Sequence, residues 1–79
     1  MAEQKTYHVE RYHWAFDFEK HPGGVYVTST GPGIRKQPQD IQTADQALMY
    51  CCSHGLSVGD LDVVTRMVTG HGARLEALA

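Results

Sequence analysis

The sequence predicts an α+β domain. An antiparallel β-hairpin, extendable to three strands, occupies the N-terminal half and packs against two C-terminal α-helices. Three observations predict this. β-branched and aromatic residues crowd positions 6–37, among them Tyr7, Val9, Tyr12, Trp14, Phe16, Phe18, Val25, Tyr26 and Val27. From residue 43 onward the apolar spacing lengthens to the three-and-four of a helix. Two turn signals, His21-Pro22-Gly23-Gly24 and Gly31-Pro32-Gly33, divide the first half. Proline presets φ in such turns and glycine accepts positive φ.

The first strand is read over 6–19. Tyr12, Trp14, Phe16 and Phe18 alternate with His13, Ala15, Asp17 and Glu19, which places the aromatic set on one sheet face. Tyr7 and Val9 have the opposite parity, so either a bulge lies near Glu10–Arg11 or both faces are partly covered. A second strand covers 24–30, and 34–37 can form a short third one before Pro38. The aromatic face then needs a cover, because an isolated hairpin is marginal in water.

That cover is read from residue 43 onward. Thr43-Ala44-Asp45-Gln46 fits a capping box that opens a helix over 44–54. Ala44, Ala47, Leu48, Cys51 and Cys52 form its apolar stripe. Gly55 suits a left-handed cap, with Leu56 reaching back toward Cys51 in a Schellman arrangement. Ser57 caps a second helix over 58–69, with Asp60 at its third position. Leu61, Val64 and Val68 are its expected inward stripe, with Val63 and Met67 beside it. Residues 73–78 can form a short terminal helix that docks Leu75 and Leu78.

The chain has 79 residues, 42% hydrophobic and 20% charged, and reads as one globular domain over 1–79. At this length folding buries roughly 60% of the unfolded surface, so the core is small. Seven Lys and Arg stand against nine Asp and Glu, a net −2, which is not the basic footprint of a nucleic-acid binder. No apolar run approaches membrane-spanning length, and the opening Met1-Ala2-Glu3-Gln4-Lys5 is not the start of a secretory signal. The expected compartment is a cytoplasm. Cys51 and Cys52 are adjacent and cannot staple distant segments.

The residues bear on four chemistries. A structural metal site needs two spaced ligand pairs, which Cys51, Cys52 and the histidines do not supply. A nucleophilic cysteine needs a depressed pKa, yet Cys51 and Cys52 sit near a helix C-terminus, where the dipole disfavours a thiolate. The glycine pairs precede no helix and cradle no phosphate. The stretch from Tyr50 to Val64, with Cys51 four before Gly55 and Leu61 and Val64 inward, resembles the turn of DNA-binding helix-turn-helix proteins. Its recognition positions hold Gly59, Asp60 and Asp62, and no Lys or Arg lies between Lys36 and Arg66. A duplex contact would have to come from Arg35, Lys36, Arg66 and Arg74.

The expectation is therefore a non-enzymatic protein-binding module without metal or cofactor. Its anchors are Tyr12, Tyr26 and Met67, and its charge comes from Asp45, Asp60 and Asp62. In size, charge and architecture the chain is similar to inhibitors encoded by viruses and mobile elements, such as anti-CRISPR proteins. That similarity implies a host nucleic-acid-handling complex as the partner, with the aspartates standing in for phosphates in its basic groove. Alternatives are a helix-turn-helix-like transcription accessory protein, a small subunit of a larger assembly, and a homodimer.

Overall fold

The computed structural model describes residues 4–70. Strands β1 (Thr6–Arg11), β2 (Trp14–His21), β3 (Gly24–Gly31), β4 (Ile34–Arg35) and β5 (Gln39–Ile41) form one antiparallel sheet. Helices α1 (Ala44–Ser53) and α2 (Val58–Thr69) follow. The α+β architecture is the one the sequence predicts. The expected terminal helix at 73–78 lies outside the described residues.

The strand read over 6–19 is two strands. Tyr12 and His13 both have positive φ, 55° and 68°, between the paired residues Arg11 and Trp14. Positive φ at both central residues is the signature of a two-residue hairpin turn. A bulge is therefore not the source of the parity change near Glu10–Arg11. A two-residue turn inverts parity, so Tyr7 and Val9 of β1 share a face with Phe16 and Phe18 of β2. Tyr12 leaves the aromatic face altogether and stands 81% exposed at the turn.

β3 is the central strand. One edge pairs with β2 along its length; the other pairs with β5 at Val25–Val27 and with β4 at Thr30–Gly31. The expected third strand at 34–37 stops at Arg35, since Pro38 has no N–H to give a ladder. The Lys36 amide still donates to the Ser29 carbonyl at 2.9 Å, which carries the edge across the gap. The sequence reading did not anticipate β5. It sits tightly: a Cβ on Gly24 would lie 2.4 Å from the Ile41 carbonyl oxygen. Gly24→Ala should therefore lift β5 from the sheet and cost about 2 kcal/mol, measured by urea unfolding.

Both helices lie on one face of the sheet. Val9, Phe16, Phe18, Val25, Val27 and Ile41 meet Ala47, Tyr50 and Cys51 of α1 and Leu61, Val64 and Met67 of α2. The Tyr50 ring sets its edge against Phe16 and Phe18, with centroids 6.3 and 6.1 Å away. Such edge-to-face pairs add to simple burial. Because α2 packs on both α1 and the sheet, it buries a wider arc than one stripe. Met67 is turned fully inward, whereas Val68 is only partly buried.

The caps follow local chemistry. The Gln46 amide donates to Thr43 Oγ1 at 3.1 Å, but the Gln46 side chain reaches the Gln42 amide rather than that of Thr43. Ser57 and Asp60 close a complete capping box on α2. Gly55, with φ 70°, ends α1, and the Leu56 amide donates to the Cys51 carbonyl at 2.9 Å as a Schellman motif requires.

Candidate interaction surface

The second sheet face carries no helix. The strand register lines it with Thr6, His8 and Glu10 of β1 and with Ala15, Asp17, Glu19 and His21 of β2. Tyr26, Thr28 and Thr30 of β3, Arg35 of β4 and Asp40 of β5 complete it. Four carboxylates thus share this surface with the Arg35 guanidinium and the imidazoles of His8 and His21.

Two histidines sit among these carboxylates. His8 Nδ1 lies 2.6 Å from Asp17 Oδ1, and its Nε2 lies 3.0 Å from Glu10 Oε2. Both partners are acceptors, so both bonds form together only on the doubly protonated ring. The bond to Glu10 first, and that to Asp17 second, raises the His8 pKa above its ordinary value. The imidazole of His8 should therefore titrate above about 6.5 in a proton NMR series. Glu10→Gln should bring the midpoint down, with Asp17→Asn acting in the same direction. The sign follows from linkage: a raised histidine favours the folded arrangement at low pH, and the gain disappears as pH rises through its midpoint.

His21 is held differently. The Gly23 amide donates to its Nδ1 at 3.1 Å, which leaves the proton on Nε2, 2.7 Å from Asp40 Oδ1. Its ring stacks on Tyr26 at 4.1 Å and 22°. The stack fixes a half-exposed aromatic in the middle of the acidic face, the kind of rigid side chain that anchors an interface.

Comparison with protein-family models, with curated proteins and with solved structures finds no match to this chain.

The residues expected to bind a partner are scattered. Only Tyr26 lies on the open face. Tyr12 stands at the β1–β2 turn, and Asp45 is exposed in the first turn of α1. Asp62 is bridged to Arg66 at 3.0 Å on the flank of α2. Met67 and Asp60 are not surface residues, being 2% and 3% exposed. Met67 fills the core between α2 and its neighbours. Asp60 accepts from the Tyr7 hydroxyl at 2.5 Å, from Arg11 at 3.2 Å and from the Ser57 amide at 3.0 Å. It ties β1 to α2 and offers no charge to a partner.

The cations of the duplex alternative do not gather on one surface either. Lys36 lies over the Trp14 ring, 5.1 Å from its centroid. Arg35 is on β4 at the open face, and Arg66 belongs to α2 and its Asp62 pair. Arg74 lies outside the described residues.

The thiols are also accounted for. Cys51 is buried, and burial pushes its pKa up to about 11, away from thiolate chemistry. Cys52 is exposed on the other side of α1. Among the described residues no three metal-binding groups converge, and no helix is long and apolar enough to cross a membrane.

The residues the sequence reading missed are Glu10, Asp17, Glu19 and His21; it does place His8 on the other face or an edge and Asp40 at the start of an acidic run that ends at Asp62. The signal that could have found them is strand parity. Once Tyr12-His13 is read as a turn, His8 and Glu10 of β1 join Asp17 and Glu19 opposite Val9, Phe16 and Phe18.

Proposed function

We propose that this chain is a non-enzymatic module that binds another protein, and that the partner meets the open sheet face with a basic surface. One observation carries the reading. The helices cover a single side of the sheet, while the other carries Glu10, Asp17, Glu19 and Asp40, with Tyr26 flanked by Glu19 and Asp40. Charge complementarity of this sort steers association and suppresses wrong partners. A basic groove that handles nucleic acid is the partner surface such a face suits best. That fits the comparison with inhibitors carried by mobile elements. The carboxylates doing the mimicry are those of the sheet. Asp60 is buried, which withdraws it from that role.

Affinity capture from nuclease-treated lysate of the native host tests the reading. The expected result is one stoichiometric protein that elutes as salt is raised, with no retention of duplex DNA. Material that disappears with nuclease would return the weight to the helix pair. Several proteins in fixed ratio would make the chain a subunit of an assembly.

A further inference from the structure

His8 holds two of the open face's carboxylates at once, Asp17 through Nδ1 at 2.6 Å and Glu10 through Nε2 at 3.0 Å. The groups around it are few. On β1, Thr6 and Glu10 flank it on the same face. On β2, Asp17 stands opposite, with Ala15 and Glu19 on the diagonals. β1 is an edge strand, so among the described residues no strand faces His8 from the other side. The helices pack on the opposite face of the sheet. Arg35 stands on β4, three strands away. His8 is thus the counter-ion of Glu10 and Asp17. All three side chains are more than half exposed, so an incoming cation can reach them.

The two ring nitrogens decide what this cluster does. Both face acceptors, so the two bonds coexist only while the ring carries both protons and a positive charge. Loss of either proton leaves a bare nitrogen against a carboxylate oxygen, and that contact turns repulsive. One carboxylate is then released. The bond to Glu10 first, and that to Asp17 second, keeps the ring charged to a higher pH than a free imidazole. A lysine or arginine on a basic partner needs the same carboxylate oxygens, and it meets the imidazolium charge beside them. Ring proton and partner therefore compete. His21, the other imidazole of this face, touches neither Glu10 nor Asp17; it is tied to Asp40 and to the Gly23 amide.

We propose that His8 is a pH-operated counter-ion of the acidic face: a basic protein surface displaces it from Glu10 and Asp17 and releases its ring proton, so that affinity for the partner rises with pH. This rests on the reading of the open face as the interface. The sign follows from linkage. The bound state holds fewer protons than the free state. Affinity is therefore lowest below the His8 midpoint, climbs as pH rises through it, and is level above it. Carboxylates ordinarily ionise at about pH 4 and lysines lose their charge at about pH 10, so a trend between about pH 5.5 and 8.5 belongs to a histidine.

The probe is a capped octalysine peptide, titrated at low ionic strength into the ¹⁵N-labelled protein across that pH window. The expected result is saturable shifts at the amides of Glu10, Asp17 and Glu19. Affinity should be about fivefold higher at the alkaline end, the scale of the one or two exposed ion pairs that change hands. The midpoint read from the His8 ring protons should fall when the peptide is added. His8→Gln, which keeps an uncharged N–H donor, should flatten the rise at the tighter level, whereas His21→Gln should keep it. The ring midpoint is read on the unaltered protein and so decides the matter even if a variant fails to fold. Shifts on the open face with an affinity level in pH, or with an unmoved His8 midpoint, would overturn the proposal and leave the interface standing. Shifts confined to the helices, or no binding at any pH, would overturn both.

Discussion

Asp60→Ala is expected to leave the chain largely unfolded at 25 °C. The carboxylate is nearly sealed from water and receives the Tyr7 hydroxyl, the Arg11 guanidinium and the Ser57 amide. Its removal strips three donors of their acceptor and opens the capping box of α2. Breaking such a buried pair costs about 3–5 kcal/mol. The lower figure applies, because Arg11 is 41% exposed and can turn to water. A core of this size supplies roughly 3–5 kcal/mol in all. The loss is therefore comparable to the whole. Tyr7→Phe should cost only about 1 kcal/mol, one net hydrogen bond. Urea unfolding followed by the fluorescence of Trp14, the single tryptophan, reads both variants.

The same cluster sets the pH range of the fold. Burial alone would raise the Asp60 pKa. The hydrogen bonds from Tyr7 and Ser57, with the charge of Arg11, outweigh burial and hold it below the usual value. A depressed carboxyl stabilises the fold above its unfolded pKa, near 3.9, and that contribution is lost as pH falls through the folded value. Tyr7 behaves in the opposite sense. Burial first, and then its bond to Asp60, pushes its pKa up to about 12. The fold prefers the neutral hydroxyl, so its contribution is complete below about pH 10 and declines as pH rises toward the folded value. Tyr7→Phe should remove that alkaline decline.

The second large effect is expected at the open face. Reversing Glu10, Asp17 and Glu19 to lysine together should weaken partner binding about a hundredfold. Each reversal removes one exposed attraction and adds one repulsion, about 1 kcal/mol per site, and a factor of ten takes about 1.4 kcal/mol. The three positions are exposed, so the fold should survive. The salt dependence of binding should flatten in the variant, because the screened attraction is what has been removed. Asp45→Lys and Asp62→Lys, made together, should change affinity less than about threefold, a surface effect away from the contact.

These expectations also show which parts of the molecule were legible in the sequence. Both helices were readable because their signals are local. Thr43, Gly55 and Ser57 each act on groups within a few residues. The sheet was half readable. Tyr12-His13 carries none of the Asn-Gly chemistry that marks a tight hairpin, and two L-residues at positive φ cost about 1–2 kcal/mol each. Missing that turn left Glu10 on the same parity as Phe16 and Phe18, and so hid part of the acidic surface. Asp60 was correctly placed as a capping residue. Its bonds to Tyr7 and Arg11 span 53 and 49 positions, beyond any local pattern. β5 depends on a close approach to Gly24, which is likewise a tertiary fact.

The measurement that tests the central claim most directly is carboxylate footprinting. Carbodiimide and glycine ethyl ester label exposed Asp and Glu side chains, and mass spectrometry reads each site with and without the captured partner. If the open sheet face is the interface, Glu10, Asp17, Glu19 and Asp40 lose labelling in the complex while Asp45 and Asp62 keep it. Protection of Asp45 and Asp62 with the sheet carboxylates still labelled would contradict the account and place the partner on the helices.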